Sequence, residues 1–273
     1  MPESKTNDEV EFLQWALPHL KYRWAGFRKP RGQVIKRIRQ RIRELSLGEI
    51  RDYKTYLRNH PEEWHILDQM CDITISRFFR DRELWKYLKN NLLPEMLKAR
   101  QDNQIRIWSV GCCNGEEPYS MALLVEEVRE TASEPINISI LASDRNPHAL
   151  SRSRTGRYPG GALKEVPSGI KKKHFRPDPD HPNHYLITGE VKDRVVFEYR
   201  DISKSLPEDM YDLICCRNLV YTYFSCERQE EFTVKIATLL HPGGFLILGA
   251  HENLPATEHF VPENQSLGIY RKK

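Results

Sequence analysis

Two adjacent carboxylates, Glu116 and Glu117, directly follow an apolar run and a glycine turn in Trp108-Ser-Val-Gly-Cys-Cys-Asn-Gly-Glu-Glu-Pro-Tyr-Ser120. An apolar strand entering a glycine turn and then a helix is how α/β proteins cradle a nucleoside. A dinucleotide site of this type sets a pyrophosphate on the helix N-terminus and needs three glycines at G-x-G-x-x-G spacing. Only Gly111 and Gly115 are present, and acidic side chains at the helix start suit its dipole but repel a phosphate. A cationic ligand fits the turn better. S-adenosylmethionine, which carries a sulfonium and an ammonium, is such a ligand; the plainer alternative makes both glutamates ordinary first-turn helix residues.

Asp144 supports the first alternative, because it ends the apolar run Ile138–Ser143. An acidic group at the end of a second strand is placed to accept hydrogen bonds from the ribose hydroxyls of an adenosine, although it could also cap the helix that follows. Cys216-Arg-Asn-Leu-Val-Tyr-Thr-Tyr-Phe224 ends a later apolar run. In a parallel sheet of order 3-2-1-4-5 that strand lies beside the first, so Arg217 and Asn218 would border the same pocket as Gly111. The Asn-Pro-Pro-Tyr type of signature common in amino-methylating enzymes for nucleic-acid bases is missing here, which disfavours a nucleobase acceptor.

The elements that must position these residues follow from periodicity. Val34, Ile38, Ile42 and Leu45 recur at helical spacing, and further helical patterns cover Ile50–Asn59, Glu62–Asp72 and Asp81–Leu97, punctuated by His60-Pro61 and Pro94. Residues 1–100 therefore read as a small all-helical domain, joined through the polar Arg100–Gln104 to a second domain over 101–273. There the pattern alternates: strand Ile105–Val110, helix Pro118–Thr131, strand Ile138–Ser143, helix Pro147–Arg154, strand Asp212–Cys216, helix Glu227–Leu240, strand Phe245–Gly249. Such alternation predicts an α/β fold, a doubly wound and mostly parallel Rossmann-like sheet. Residues 155–200 break the rhythm with short alternating runs at His184–Thr188 and Arg194–Tyr199, and read as a small inserted β lobe.

At 273 residues the chain is long enough for a sizeable core. Its net charge of +4 is uneven: from Lys21 to Arg43 there are ten cationic residues and no acidic one. Such a stretch suits an acidic protein partner or nucleic acid, or is a solvated face. The six cysteines include the neighbouring pairs Cys112-Cys113 and Cys215-Cys216. Adjacent thiols chelate poorly, so they read as small buried residues and no metal site is expected. No apolar run of membrane-spanning length and no signal-peptide pattern are seen, so a cytoplasmic protein without membrane insertion is the default expectation.

Taken together the motifs resemble the CheR-type methyltransferases, the family that esterifies receptor glutamates in bacterial chemotaxis. The matching pieces are Thr74-Ile-Ser-Arg-Phe-Phe-Arg80, the turn Trp108–Ser120, Ala142-Ser-Asp144, Cys216-Arg-Asn218, and His241-Pro-Gly-Gly244 leading to His251-Glu-Asn253. They occur in family order over nearly the whole chain. The resemblance implies an S-adenosylmethionine site. Thr74, Ser76 and Arg80 would contribute from the helical side, with Ser76 in place of the usual threonine. Glu116 would contact the methionine part, Asp144 the ribose, and Asp201-Ile202 the adenine, where the family more often shows Asn-Leu. Arg217 and Asn218 would close the pocket.

The chain departs from the family after Asn218, where it is one residue longer than the usual Arg-Asn-Val-Met-Ile-Tyr-Phe. Either Tyr223, which keeps the Tyr-Phe context, or Tyr221 is then the tyrosine on the acceptor side, with Arg80 free to hold a second anionic group. Methyl transfer from a sulfonium is an in-line displacement, and a carboxylate acceptor with a pKa of about 4.3 is already ionised at neutral pH. No general base is required, and positioning can supply roughly 7–11 kcal/mol of barrier reduction. The expected function is transfer of a methyl group to a carboxylate such as a protein glutamate, the basic helix docking onto an acidic receptor-like helix. The competing readings are a small-molecule or different protein acceptor, and a cofactor-binding regulatory module without turnover. Nucleic acid is the weakest partner, resting on the basic stretch alone.

Overall fold

The structure is a computed structural model that describes residues 2–99, 104–130 and 137–273, with side chains from residue 7 onward. The expected interdomain join, Gln104 apart, and Thr131 at the end of an expected helix lie outside the described residues. The chain divides into two compact units, one of Met1–Ile73 with Leu219–Phe232, the other of Thr74–Asn218 with Thr233–Lys273.

The first unit is helical, with helices at Pro2–His19, Trp24–Phe27, Arg31–Glu44, Ile50–Asn59 and Glu63–Met70. Arg31–Glu44 buries Val34, Ile35, Ile38 and Ile42, the stripe expected from spacing, while Leu45 serves as its C-terminal cap. The cationic face is less free than the sequence suggests. Arg41 grips the buried Glu63 with two hydrogen bonds of 2.9 and 2.8 Å, Arg37 donates to the Met70 and Asp72 carbonyls, and Arg39 pairs with Glu9. Lys36 and Arg43 remain exposed. The segment Leu219–Phe232 belongs to this unit because its backbone is knitted into it. The Arg23 amide donates to the Tyr223 carbonyl (2.9 Å), and Tyr22 forms a β-bridge with Phe224. At Gly26 any Cβ would come within 2.2 Å of the Thr222 oxygen, so only glycine allows this approach.

The second unit is built on a seven-stranded sheet. Its strands are β1 (Gln104–Val110), β2 (Asn137–Asp144), β6 (Val195–Tyr199), β7 (Tyr211–Cys215), β8 (Leu240–Ile247), β9 (Phe260–Asn264) and β10 (Ile269–Lys272), in the order β6-β2-β1-β7-β8-β10-β9. The first five are parallel and β10 runs antiparallel to both neighbours. Counting the parallel strands alone gives 3-2-1-4-5, the order supposed above when Arg217 and Asn218 were placed beside Gly111. Continuous burial from Ile107 to Val110 reflects cover on both faces of the sheet.

The boundary falls earlier than the pattern of helices implied. Phe78, Phe79, Trp85, Leu88, Leu92 and Met96 share one core cluster with Ile105 and Ile107 of β1, so residues 74–99 belong with the sheet. The helix expected over Asp81–Leu97 is two helices, Arg82–Tyr87 and Leu93–Ala99, joined by a π turn at Leu88–Leu92 in which Leu93 donates to the Leu88 carbonyl. Pro94 has no amide to continue an α ladder, and a wider turn just before it absorbs the mismatch. The inserted lobe is also smaller than 155–200. It is an antiparallel sheet of β3 (Arg157–Pro159), β5 (His184–Ile187) and β4 (Phe175–Pro177), in that order, whereas the run Arg194–Tyr199 supplies β6 of the main sheet.

Candidate functional site

Polar residues gather where the parallel strands end at their carboxyl termini, the edge at which open α/β sheets bind ligands. After β1 the chain makes a tight turn with Gly111 at φ 67°, Cys113 at 54° and Gly115 at 89°. A Cβ on Gly115 would stand 2.8 Å from Ser153 Cβ and 2.9 Å from the Tyr158 hydroxyl, so glycine here serves close packing as well as conformation. The turn is tied to β2: the Cys112 amide donates to the Ser143 carbonyl and the Trp108 indole to the Ser143 hydroxyl, both at 2.9 Å. Asp144 accepts the Cys113 amide on Oδ2 and the Asn146 amide on Oδ1, each at 2.8 Å. It is Asn146, not Asp144, that caps the helix Pro147–Thr155, through Ala149 N. The capping alternative for Asp144 therefore drops away, and its carboxylate is oriented by the turn.

The two glutamates of the turn separate cleanly. Glu117 lies in a polar network, accepting from the Ser109 hydroxyl (2.8 Å) and from Arg217 Nη1 (3.1 Å). Glu116 is buried, and its Oε2 has no hydrogen-bond partner among the described residues. Burial pushes its pKa up, against the opposing influence of hydrogen bonding from its own backbone amide, from Ser76 and from Asn114, and the charge of Arg152. A buried carboxylate oxygen without a partner is costly unless a donor arrives. An ammonium-bearing ligand meets that need, whereas a phosphate does not.

Arg80 is presented by a strained loop in which Phe79 and Asp81 both have positive φ, at 50° and 66°. The loop is pinned at three points. Phe79 N donates to Ser120 Oγ (2.9 Å), and the Arg80 carbonyl accepts from Trp85 Nε1 (2.7 Å) and Arg217 Nη2 (3.3 Å). Ser120 in turn donates to the Glu116 carbonyl at 2.6 Å, so the last residue of the turn motif couples helix start to loop. Arg217 is buried and its Nη2 also pairs with Asp81 at 2.5 Å. Its Nη1 and Nη2 are thus committed to Glu117, Asp81 and the Arg80 carbonyl, while its buried Nε has no hydrogen-bond partner among the described residues. Thr74 and Ser76 are half-buried in the irregular segment that leads into this loop.

Asn218, just past β7, adopts a left-handed conformation with φ 55° and donates its amide to Glu252 Oε2 at 2.7 Å. Asp201, just past β6, accepts from the amide and hydroxyl of Ser203 at 3.0 and 2.6 Å, and so caps its own turn. Burial opposes its ionisation, but these bonds, with the charges of Arg145 and Lys204, hold its pKa below the usual value. Ile202 follows, half-buried. Glu252, quoted above within the motif His251-Glu-Asn253 but given no role there, lies at the same edge, and like Asp144 it is an acidic side chain shortly after an apolar strand. Tyr221 and Tyr223 lie in the helical unit, in the short helix Val220–Tyr223. Tyr221 is wholly buried and packs edge-on to Phe232, while Tyr223 is half-buried with its ring 5.0 Å from that of Phe27.

With this geometry in place, the chain can be set beside known proteins. Residues 74–268 match the family described as CheR methyltransferase, SAM binding domain. The chain belongs to the CheR methyltransferase family. It is 29% identical over 243 residues to a probable chemotaxis protein methyltransferase of Rhizobium etli, covering 87% of this chain and 90% of that one. It is 32% identical over 203 residues to chemotaxis protein methyltransferase 1 of Pseudomonas aeruginosa, covering 72% and 73%. Among solved structures, a methyltransferase from Geobacter sulfurreducens in complex with S-adenosyl-L-homocysteine aligns with TM-score 0.36 and 14% identity over 63% of this chain and 49% of that one. The fold assignment rests on strand order instead. The protein is a CheR-type methyltransferase that uses S-adenosylmethionine, and the matched region starts at Thr74, the first residue of the α/β unit. Among the described residues no helix is long and apolar enough to cross a membrane.

Proposed function

We propose that this CheR-family enzyme esterifies a carboxylate, such as a glutamate side chain of a receptor-like protein, and that Glu116, Asp144, Asp201-Ile202, Asn218 and the Thr74–Arg80 segment hold its cofactor. The observation that carries the reading is the buried, unpartnered Glu116 Oε2 at the carboxyl edge of a CheR-family sheet. When bound, S-adenosylmethionine supplies a methyl group activated on a sulfonium. Glu116 accepts from the ligand's ammonium, and the oriented Asp144 carboxylate accepts from the ribose hydroxyls. The half-buried Arg80 side chain, whose charge also reaches the Glu117 carboxylate, holds an anionic group. Arg217 supports the site from behind through Glu117 and Asp81. Tyr223, the more accessible of the two tyrosines, orients the acceptor oxygen. The acceptor needs no deprotonation at neutral pH.

The glutamate acceptor is supported by the family itself and by relatives named for chemotaxis. The exposed Lys36 and Arg43 on the helix Arg31–Glu44 leave a cationic surface suited to an acidic partner. Incubating the protein with methyl-labelled cofactor and a cell extract tests the proposal. Base-labile label on a membrane protein is expected. Label on a small molecule or a base-stable product would overturn the acceptor, and cofactor binding without transfer would leave a regulatory module.

A further inference from the structure

We infer that Glu252 is a positioning residue of the cofactor site, acting through Asn218; this rests on the reading above that Asn218 touches the cofactor. Three observations converge on it. Glu252 is buried, and its Oε2 accepts two backbone amides, those of Asn218 and Gly249, each at 2.7 Å. Those amides belong to the residues that leave the adjacent parallel strands β7 and β8, so one carboxylate oxygen clasps the ends of both. The turn that delivers it closes on itself, with Glu252 N donating to the Gly249 carbonyl at 2.9 Å.

The clasp selects one conformation of Asn218. Its φ of 55° is left-handed, a region that asparagine tolerates better than other residues with a Cβ but populates only as a minority, so the bond to Glu252 fixes the choice. Gly249 completes the arrangement: a Cβ there would lie 2.5 Å from Asn218 Nδ2 and 2.9 Å from Glu252 Oε2. The Asn218 side chain therefore rests on bare backbone, directed by an amide that Glu252 fixes. Without the carboxylate two buried amides lose a charged acceptor, and Asn218 is released toward ordinary backbone conformations.

The test is a double-mutant cycle read by calorimetric binding of S-adenosylhomocysteine, with melting temperature followed in parallel. N218A is expected to weaken binding, and E252A to weaken it about tenfold, the scale of one charged hydrogen-bonding group. In the N218A background E252A should add little, because a residue that acts through Asn218 has nothing left to position. G249A retains the Glu252 carboxyl group but crowds both the Asn218 side chain and Glu252 Oε2, and should also weaken binding. Wild-type affinity in a folded E252A protein would overturn the inference, and so would an undiminished E252A effect in the N218A background. Should E252A fail to fold, E252Q, which retains one neutral acceptor oxygen, takes its place in the same cycle with an expected loss of about threefold. N218A binding as tightly as wild type would instead overturn the reading of Asn218, and with it the role given to Glu252.

Discussion

Glu63 of the helical unit and Glu116 of the α/β unit are both buried carboxylates, yet they meet burial in opposite ways. Glu63 accepts two hydrogen bonds from Arg41 and one from the Tyr53 hydroxyl at 2.8 Å. Burial alone would raise its pKa, but these partners outweigh it and hold the group below its ordinary range. Glu116 has one oxygen with no partner, and burial prevails, pushing its pKa up. The shift alone does not separate the two, since burial also raises the pKa of the partnered Glu117; what distinguishes Glu116 is an oxygen open to a donor at the start of the helix Glu116–Arg129.

The comparison can be broken most forcefully at Glu63. Glu63→Ala should cost about 3 kcal/mol, since it strands Arg41 and the Tyr53 hydroxyl, and urea titration should show the loss without any change in affinity for cofactor by the folded protein. Asp144→Ala should lower cofactor affinity by roughly a hundredfold, as two charge-assisted hydrogen bonds to the ribose are removed, and should also lower the melting temperature, because the Cys113 and Asn146 amides lose their acceptor. Calorimetry decides it, and unchanged affinity would remove the ribose role.

Glu116→Gln sharpens the contrast. It should weaken S-adenosylmethionine binding by about tenfold while raising the melting temperature of the cofactor-free protein wherever the wild-type carboxyl is ionised, a trade of stability for binding. A variant less stable than wild type would show that Glu116 is satisfied from within after all. The same pair sets opposite pH trends. The raised pKa of Glu116 makes its contribution to stability present below its ordinary value of 4.5 and lost as pH climbs through the folded value. The lowered pKa of Glu63 makes its contribution present above 4.5 and lost as pH falls through the folded value. Melting curves of both Glu116→Gln and Glu63→Gln should approach wild type at low pH, where the replaced carboxyl is protonated, and diverge from it in opposite directions as pH rises, Glu116→Gln upward and Glu63→Gln downward. The smallest effect is expected at Tyr223→Phe, which should spare binding and lower turnover several-fold, by roughly 1 kcal/mol, through loss of one hydrogen bond to the acceptor. Equal losses of affinity in Tyr223→Phe and Asp144→Ala would sink the division of roles.

Much of the α/β unit was legible before any coordinates, because its signals are local. The turn at Gly111–Ser120 and the acidic end of Ile138–Ser143 announce themselves by residue type, and the alternation of period indicates a mostly parallel sheet. What escaped was long-range. An amphipathic helix shows that it has a core-facing stripe but not which core, so the helices at Arg82–Ala99 were read with the helical region, whereas they pack on the sheet. The run Arg194–Tyr199 is too short to declare its sheet. The ten cations between Lys21 and Arg43 looked equivalent, yet Arg37 and Arg41 sit beside the buried stripe and are consumed by Met70, Asp72 and Glu63. Arg217 and Glu252 are polar residues at strand ends like Asp144, and only their partners separate a strut and a clasp from an oriented ligand group.

The Leu219–Phe232 excursion bears on biosynthesis. The helical unit is not contiguous in the gene: its first stretch ends at Ile73, and the strip that receives Tyr22, Arg23 and Gly26 is translated only after the whole of the segment Thr74–Asn218. At ~5–20 residues per second the nascent N-terminal helices wait on the order of ten seconds for that strip. During this interval Tyr22 and Phe27 lack part of their cover, which makes residues 1–73 a natural client for chaperones and a poor choice for expression as an isolated fragment.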